Sequence, residues 1–316
     1  MIHTEGDEVR AAGTLLRKAG FAVSQTCWSR PSCFDFAARK NGNLIFIKVQ
    51  PDIDNLSPND SAELRSISKS VSAASLLISE NAREKPLEED TVYTRYNVSA
   101  ITARTFENIV SNNTNPLIQA GPGGYYVKID GTAIRRRRQQ LGLSIGKMAE
   151  MIGTSRRTLY GYERGMAKPS VTAAYKLICT LGIPVARSVN VLEKPAKQRE
   201  CLLLTTAKRV IAKNKLLMKI FTKFDQQGIM TVRRAPFDFI INVPENNTRI
   251  IGGIADSKER HLDRRVDEIL SVTKIVQAHP ILITDGQEPS HKDISCIHSK
   301  DLSKLKSFEE LISNFT

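Results

Sequence analysis

The chain has 316 residues, 41% of them hydrophobic and 25% charged, the balance of a globular protein with room for two or three domains. Its net charge of +13 suggests a polyanionic partner. No apolar run approaches the roughly 20 residues of a membrane-spanning helix, and the polar start MIHTEGDEVR does not read as a signal peptide. The five cysteines (Cys27, Cys33, Cys179, Cys201, Cys296) are scattered without zinc spacing, so they are expected to be reduced and mostly packing, as in the cytoplasm.

Three sections are expected: 1–115, 116–190 and 191–316. The first opens with an amphipathic helix, VRAAGTLLRKAG, then a strand, FAVSQTC, and the segment RPSCFDF ending at Phe36. A second strand, LIFIKV, a polar helix, SAELRSISKSVSAA, and a buried strand, SLLIS, follow. The section closes with a strand and a helix in VYTRYNVSAITARTFENIV. The third section repeats this order. A helix over AKNKLLMKIFTKFDQQG precedes the strand IMTVRR, then RAPFDF ending at Phe239. The strand RIIGGIA, the helix RRVDEILSVTKIVQA, the strand PILIT and a last strand and helix in ISCIHSKDLSKLKSFEELI complete it. Asp35 lies 41 residues before Leu76, and Asp238 lies 43 before Ile281. A shared FDF, a matching order and near-equal lengths indicate an internal repeat of an α/β unit.

That order resembles the restriction-endonuclease-like fold, which includes Holliday-junction resolvases. In active members a carboxylate ending one strand joins an acid-x-Lys on the next to hold a divalent metal that activates water. Asp35 and Asp238 match the first acid, and Lys48 the lysine of the first copy. Phe46 stands where the second acid belongs, and Ile250-Ile251-Gly252-Gly253 supplies neither acid nor lysine. Both copies are therefore expected to be degenerate, with structural aspartates, no catalytic residue, no metal and no cofactor.

Most of the basic excess lies between the copies. From Lys128 to Arg187 there are 12 Lys/Arg against 3 Asp/Glu, a net +9. This section opens with PLIQAGPGGYYVKIDG, a β-hairpin turning at Gly121-Pro122-Gly123-Gly124. It is read as a packing or linking hairpin, the alternative being a wing on DNA with Lys128 at a phosphate. Within SIGKMAEMIGTSRRTLYGY, Ile145, Met148, Ala149 and Ile152 form one apolar helical face. Gly153 ends that helix, and Thr154 or Ser155 caps a second with Leu159 and Tyr162 inside. The pattern is a helix-turn-helix, and its partner is DNA.

From Thr132 to about residue 187 the section resembles the lambda-repressor/Cro-type helix-turn-helix domain. An Arg-rich first helix ends at Leu141-Gly142; Tyr162-Glu163-Arg164-Gly165 and Lys168-Pro169-Ser170 lead to a last helix with Ala174, Leu177 and Leu181. The resemblance implies four or five helices, with the third, 155–163, in the major groove. Ser155, Arg156, Arg157 and Thr158 would then open the recognition helix, where Arg can bond guanine bidentately. Tyr160 and Gly161 would face outward, Tyr160 toward a phosphate or sugar. Ser144 would cap the second helix beside a phosphate, with Lys147 adding charge there and Lys168 a backbone contact. One or two of the four consecutive arginines, Arg135 and Arg138, would reach phosphate. Ile145 replaces a glutamine that commonly contacts the backbone. Glu163 is expected to pair with an arginine inside the domain, and Tyr162 to join the core.

The whole chain, through TRYNVSAITARTF, PLIQAGPGGYYVKIDG and the helix-turn-helix, resembles a family of archaeal helix-turn-helix-type transcriptional regulators. The fold class expected is α/β plus all-α: two restriction-endonuclease-like domains flanking a repressor-like bundle. The expected function is sequence-specific binding of double-stranded DNA in the cytoplasm, as a homodimer, to regulate transcription, with no effector indicated. The alternatives are a metal-dependent nuclease or junction resolvase, or a non-catalytic binder of branched DNA, using the Asp35/Lys48 domain.

Overall fold

A computed structural model of the chain describes residues 5–194, 228–243, 248–256, 259, 261–286 and 289–301. The chain forms two compact units. One holds the described residues within 1–50, 56–76 and 192–316; the other holds 51–55 and 77–191.

The first unit begins with α1 (Glu5–Lys18), which buries Val9, Ala12 and Leu16 along one face. Strand β1 (Ala22–Val23) is shorter than the strand expected over FAVSQTC. The chain beyond it continues beside β2 (Phe36–Lys40) through irregular bonds, Ser24 N to Ala37 O and Cys27 N to Asp35 O. Strand β2 turns into β3 (Asn43–Val49) at Asn41-Gly42, both left-handed at φ 48° and 79°. A two-residue hairpin of this kind favours Asn-Gly because its twist matches that of the strands. Helix α2 (Pro58–Ser70) starts where Ser57 caps it and proline fits the first turn. Strand β4 (Ala74–Ile78) then lies beside β3, giving the order β1-β2-β3-β4.

In the second unit, β5 (Asn81–Ala82) and β6 (Lys85–Pro86) form a small hairpin. Strands β7 (Thr91–Arg95) and β8 (Val98–Ile101) form another, where one strand was expected. The reversal is made by Tyr96 and Asn97, both left-handed at φ 46° and 64°. Helix α3 (Ala103–Asn112), capped by Thr102, follows. Strand β9 (Ile118–Gly121) runs parallel to β7, and β10 (Gly124–Val127) returns antiparallel, giving β8-β7-β9-β10. Four helices follow: α4 (Gly131–Gln140), α5 (Ile145–Ile152), α6 (Arg156–Glu163) and α7 (Val171–Leu181). They enclose Ile134, Met148, Ala149, Ile152, Leu159, Tyr162, Leu177, Leu181 and Val185.

The chain then returns to the first unit. Strands β11 (Gly228–Thr231), β12 (Phe239–Val243) and β13 (Thr248–Ala255) pair antiparallel. Helix α8 (Leu262–Val276) crosses to β14 (His279–Thr284), and β15 (Ser295–His298) follows, both strands parallel to their neighbours. The helices expected over 212–228 and 301–312, apart from Gly228 and Asp301, most of the run EKPAKQRE, and Cys201 lie outside the described residues.

The repeat is evident in the backbone. Asp35 N donates to Ile47 O and Asp238 N to Gly252 O, both at 2.8 Å. Asp35 O accepts from Cys27 N and Asp238 O from Val232 N. Position 46 therefore matches Ile251, and position 48 matches Gly253. The copies also touch each other: Arg39 of β2 bonds the carbonyls of Ile275 and Val276 at the end of α8, and Cys33 N bonds Arg234 O.

Candidate nucleic-acid interface

Each helix of the α4–α7 bundle starts at a side chain that satisfies an otherwise unpaired N–H. Asp130 caps α4 through Ala133 N, Ser144 caps α5 through Lys147 N, Ser155 caps α6 through Thr158 N, and Ser170 caps α7 through Ala173 N. Of the two caps expected for the recognition helix, Ser155 fills the position. Gly153 ends α5 in the left-handed region at φ 73°. Gly131 has a different role: a Cβ there would meet Tyr162 O at 2.4 Å and Glu163 O at 2.6 Å. Only glycine lets the start of α4 approach the end of α6 so closely.

The sequence-predicted residues divide between surface and interior. Ser144, Lys147, Ser155, Arg156, Arg157 and Lys168 are exposed, Thr158 is half-buried, and Tyr160 is 44% exposed with Arg164 stacked 5.3 Å over its ring. The hydroxyls of Ser155 and Thr158 bond each other at 2.8 Å and complete the cap. Lys147 pairs with Glu150 at 3.2 Å, both exposed, which is worth little in solution. No carboxylate among the described residues pairs with Arg156 or Arg157. Gly146 of α5 leaves the space that Arg156 occupies, since a Cβ there would sit 2.9 Å from Arg156 Nε. Ile145, the departure from the family pattern, packs against the bundle core.

Three expectations need revision. Arg138 does not face a nucleic acid: it is buried at 8% exposure. Its Nε and Nη2 bond Glu163 at 2.6 and 3.1 Å, and its Nη1 bonds Leu143 O. The Glu163 hydrogen bonds raise the Arg138 pKa above its ordinary value, against the opposing effect of burial. A helix turns about 100° per residue, so four consecutive arginines must point in different directions. Arg135 and Arg136 are exposed, Arg137 bonds Leu181 O, and Arg138 faces inward. Arg136 was thus missed as an exposed cation. Gly161, expected outward, is buried against Ala167. Tyr162 and Glu163 take the interior positions expected of them, and burial pushes the Tyr162 hydroxyl pKa up. Of the four described cysteines, Cys27 and Cys33 are buried, with thiol pKa values raised by burial, whereas Cys179 and Cys296 are exposed, so packing describes two of these four.

The hairpin β9–β10 is fastened to the bundle. Tyr126 bridges to Ser170, Val127 N bonds Pro169 O, Ile129 bridges to Ala186, and Lys168 Nζ bonds Gln119 Oε1 at 2.6 Å. Arg187 pairs with Asp130 at 2.5 Å, closing the domain's ends on each other.

The two FDF aspartates are held differently. Asp35 accepts from Lys48 Nζ at 2.8 Å and from Val49 N at 2.7 Å. Phe46, fully buried, stacks edge-on to Phe34 at 4.8 Å where a second carboxylate would stand. Asp238 accepts the equivalent strand amide, Ile254 N, at 2.6 Å. Its cations are Arg265 from α8 and Arg30 from the other copy, the latter at 2.9 Å. Arg265 is fully buried and also bonds Pro236 O, Ile254 O and Glu259. Gly253 leaves room for it, a Cβ there lying 3.2 Å from Arg265 Nη2. Sequence reasoning missed Arg265, Arg30 and Glu259, although one signal was present: Arg265 falls on the apolar phase of α8 with Ile269, Val272 and Val276. Among the described residues, no three His, Cys, Asp or Glu side chains gather as metal ligands.

Residues 7–116 match the PD-(D/E)XK superfamily domain, and residues 134–187 match the helix-turn-helix domain. The chain is 31% identical over 312 residues to a Methanocaldococcus jannaschii protein named "Putative HTH-type transcriptional regulatory protein", covering 95% of this chain and 93% of the other. A protein of that name from Archaeoglobus fulgidus is 30% identical over 302 residues, covering 95% and 94%. Among solved structures, SinR, described as the master regulator for biofilm formation and crystallised in complex with DNA, is 28% identical over 17% of this chain and 86% of the other, with a TM-score of 0.16. With near-complete coverage in both directions and both domain types in the expected order, the chain belongs to the family of archaeal helix-turn-helix-type transcriptional regulatory proteins.

Proposed function

We propose that the protein is a sequence-specific DNA-binding transcription regulator, working in the cytoplasm as a homodimer. The observation that carries this reading is the start of α6, where Arg156 and Arg157 are exposed, without a carboxylate partner among the described residues, on a helix fixed by Leu159 and Tyr162. Placed in the major groove, that turn presents two guanidinium groups to base edges. Ser144 and the first amides of α5, with Lys147, Arg135, Lys168 and Tyr160, take the flanking phosphates and sugars. One recognition helix reads few base pairs, so two copies on a two-fold operator supply the remaining specificity. In functional terms the chain divides at 1–115, 116–190 and 191–316, the outer sections serving dimerisation or a partner.

The outer sections are non-enzymatic on this reading. Phe46 and Ile251, both fully buried, fill the second-acid positions, and each aspartate is held by a strand amide and by side-chain cations, Lys48 on Asp35 and Arg265 with Arg30 on Asp238. Magnesium-dependent cleavage of duplex, junction or single-stranded DNA, abolished by Asp35→Ala, would replace this reading with the nuclease.

Selection of bound duplexes from a random pool tests the main proposal. A palindromic motif with half-sites about one helical turn apart is expected; absence of any enriched sequence overturns it. On the selected duplex, Arg156→Ala relaxes preference at one position by about 1–3 kcal/mol, whereas Lys147→Ala weakens all sequences alike.

A further inference from the structure

A cleft of about 480 Å³ opens between the β9–β10 hairpin and the loop that follows α6, lined by Thr94, Gln119, Gly121, Pro122, Tyr126 and Lys168. Its polar equipment is specific in kind. Lys168 brings a cation whose bonded partner is a neutral amide, Gln119 Oε1, at 2.6 Å. Thr94 adds a hydroxyl, and the Tyr126 hydroxyl, donating to Pro122 O at 2.9 Å, keeps its lone pairs for a further donor. The tip itself, Gly121 to Gly124, is exposed, with Gly123 and Gly124 left-handed at φ 82° and 151°. A loop this short of side chains lets another molecule approach its backbone closely.

The cleft borders the segment that leaves α6, since Lys168 lines it. Val127 N bonds Pro169 O and Tyr126 bridges to Ser170, so the hairpin is fixed to the segment joining α6 to α7. Strand β9 is in turn paired to β7, so the hairpin does not stand free of its own unit. A rigid hairpin beside the loop that leaves the recognition helix, with a lysine between them, is placed to meet the sugar-phosphate backbone flanking the groove.

We infer that the β9–β10 hairpin and Lys168 form a wing that seats a phosphodiester of the bound duplex in the Lys168–Gln119 cleft. The inference rests on α6 being the recognition helix and adds to it a contact indifferent to sequence. Phosphate contacts of this kind set register and orientation and carry salt dependence, while base contacts carry preference.

The test is Gln119→Glu in the full chain, which places a carboxylate against Lys168 without touching α6. Affinity for the selected duplex should fall about eightfold near 0.1 M salt, the weight of one released counterion, equally for preferred and scrambled sequences. The slope of log affinity against log salt should shrink by about 0.9. Trimming the duplex to remove the flanking base pairs should lower wild-type affinity to that of the variant and leave the variant unchanged. A thermal melt matching the wild type shows that the fold survives; Lys168→Gln, which removes the cation itself, gives a second reading should it not. Unchanged affinity and slope in both variants, with Arg156→Ala still relaxing preference, overturns the wing and leaves the recognition helix standing. Unchanged preference in Arg156→Ala, together with unchanged affinity in both cleft variants, overturns the recognition helix and the wing together. Saturable binding of inorganic phosphate, lost in Gln119→Glu while duplex affinity stays at the wild-type value, reassigns the cleft to a free phosphate-bearing ligand and also overturns the wing.

Discussion

The two copies of the FDF unit place an aspartate in the same backbone frame and neutralise it by different routes. In each, the aspartate N–H donates to the neighbouring strand, and its carboxylate accepts the amide two residues further along that strand. In the first copy the cation is Lys48, on that strand. In the second the strand residue is Gly253, and the guanidinium of Arg265 reaches the same place from α8, joined by Arg30 from the first copy. A buried carboxylate without compensation is costly, so losing one cation requires gaining another. The element that delivers the cation is free to change; the charge at that point is not. The second arrangement also ties the copies together, because Asp238 and Glu259 each bond both Arg30 and Arg265.

This comparison predicts unequal costs for removing the two cations. Arg265→Met leaves Asp238 and Glu259 without their buried partner and should destabilise the unit by about 3–5 kcal/mol, read from the urea midpoint. Lys48→Met removes one charged hydrogen bond, with Val49 N still serving Asp35, and should cost about 1–3 kcal/mol. Equal losses would show that the two sites are energetically the same despite their different wiring. The smallest effect is expected at Asp130, an aspartate that also accepts a backbone amide and a single arginine, but nearer the surface. The amide of Ala133 and then Arg187 hold its pKa below the ordinary value. Its contribution is therefore complete above the unfolded pKa near 3.9 and is lost as pH falls through the lower folded value. Asp130→Asn, which retains a capping oxygen, should flatten this part of the acid dependence of the bundle's thermal midpoint. An unchanged profile would mean that the ion pair with Arg187 contributes nothing to the bundle.

Much of the candidate interface was legible because local rules determine it. Ser144, Gly153 and Ser155 are a cap, a left-handed stop and a second cap, and each acts within four residues of itself. The apolar period of Met148, Ala149, Ile152 and Leu159 identifies the core face without knowledge of what packs there. Direction around the helix was the weaker point. Arg138 was taken for a surface arginine because a basic run carries no mark of which member turns inward. Its partner, Glu163, lies 25 residues away on another helix. The extra reversal at Tyr96-Asn97 was missed for a related reason: neither glycine nor proline marks it, and a tyrosine in the left-handed region is uncommon.

By itself the sequence determined the kind and order of the parts: a repeated α/β unit, a basic insert of four or five helices, the caps and the stop of the helix-turn-helix, and the absence of an acid at position 46 and across 250–253. Tertiary structure alone decided which charges neutralise one another. It paired Arg138 with Glu163, set Arg265 and Arg30 on Asp238, and bound the β9–β10 hairpin to the loop after α6. The physical reason is range. Helix caps and apolar periodicity act over a few residues and are written along the chain. The neutralisation of a buried charge depends on whichever oppositely charged group the fold brings within about 3 Å, and nothing in the spacing of the sequence specifies that distance.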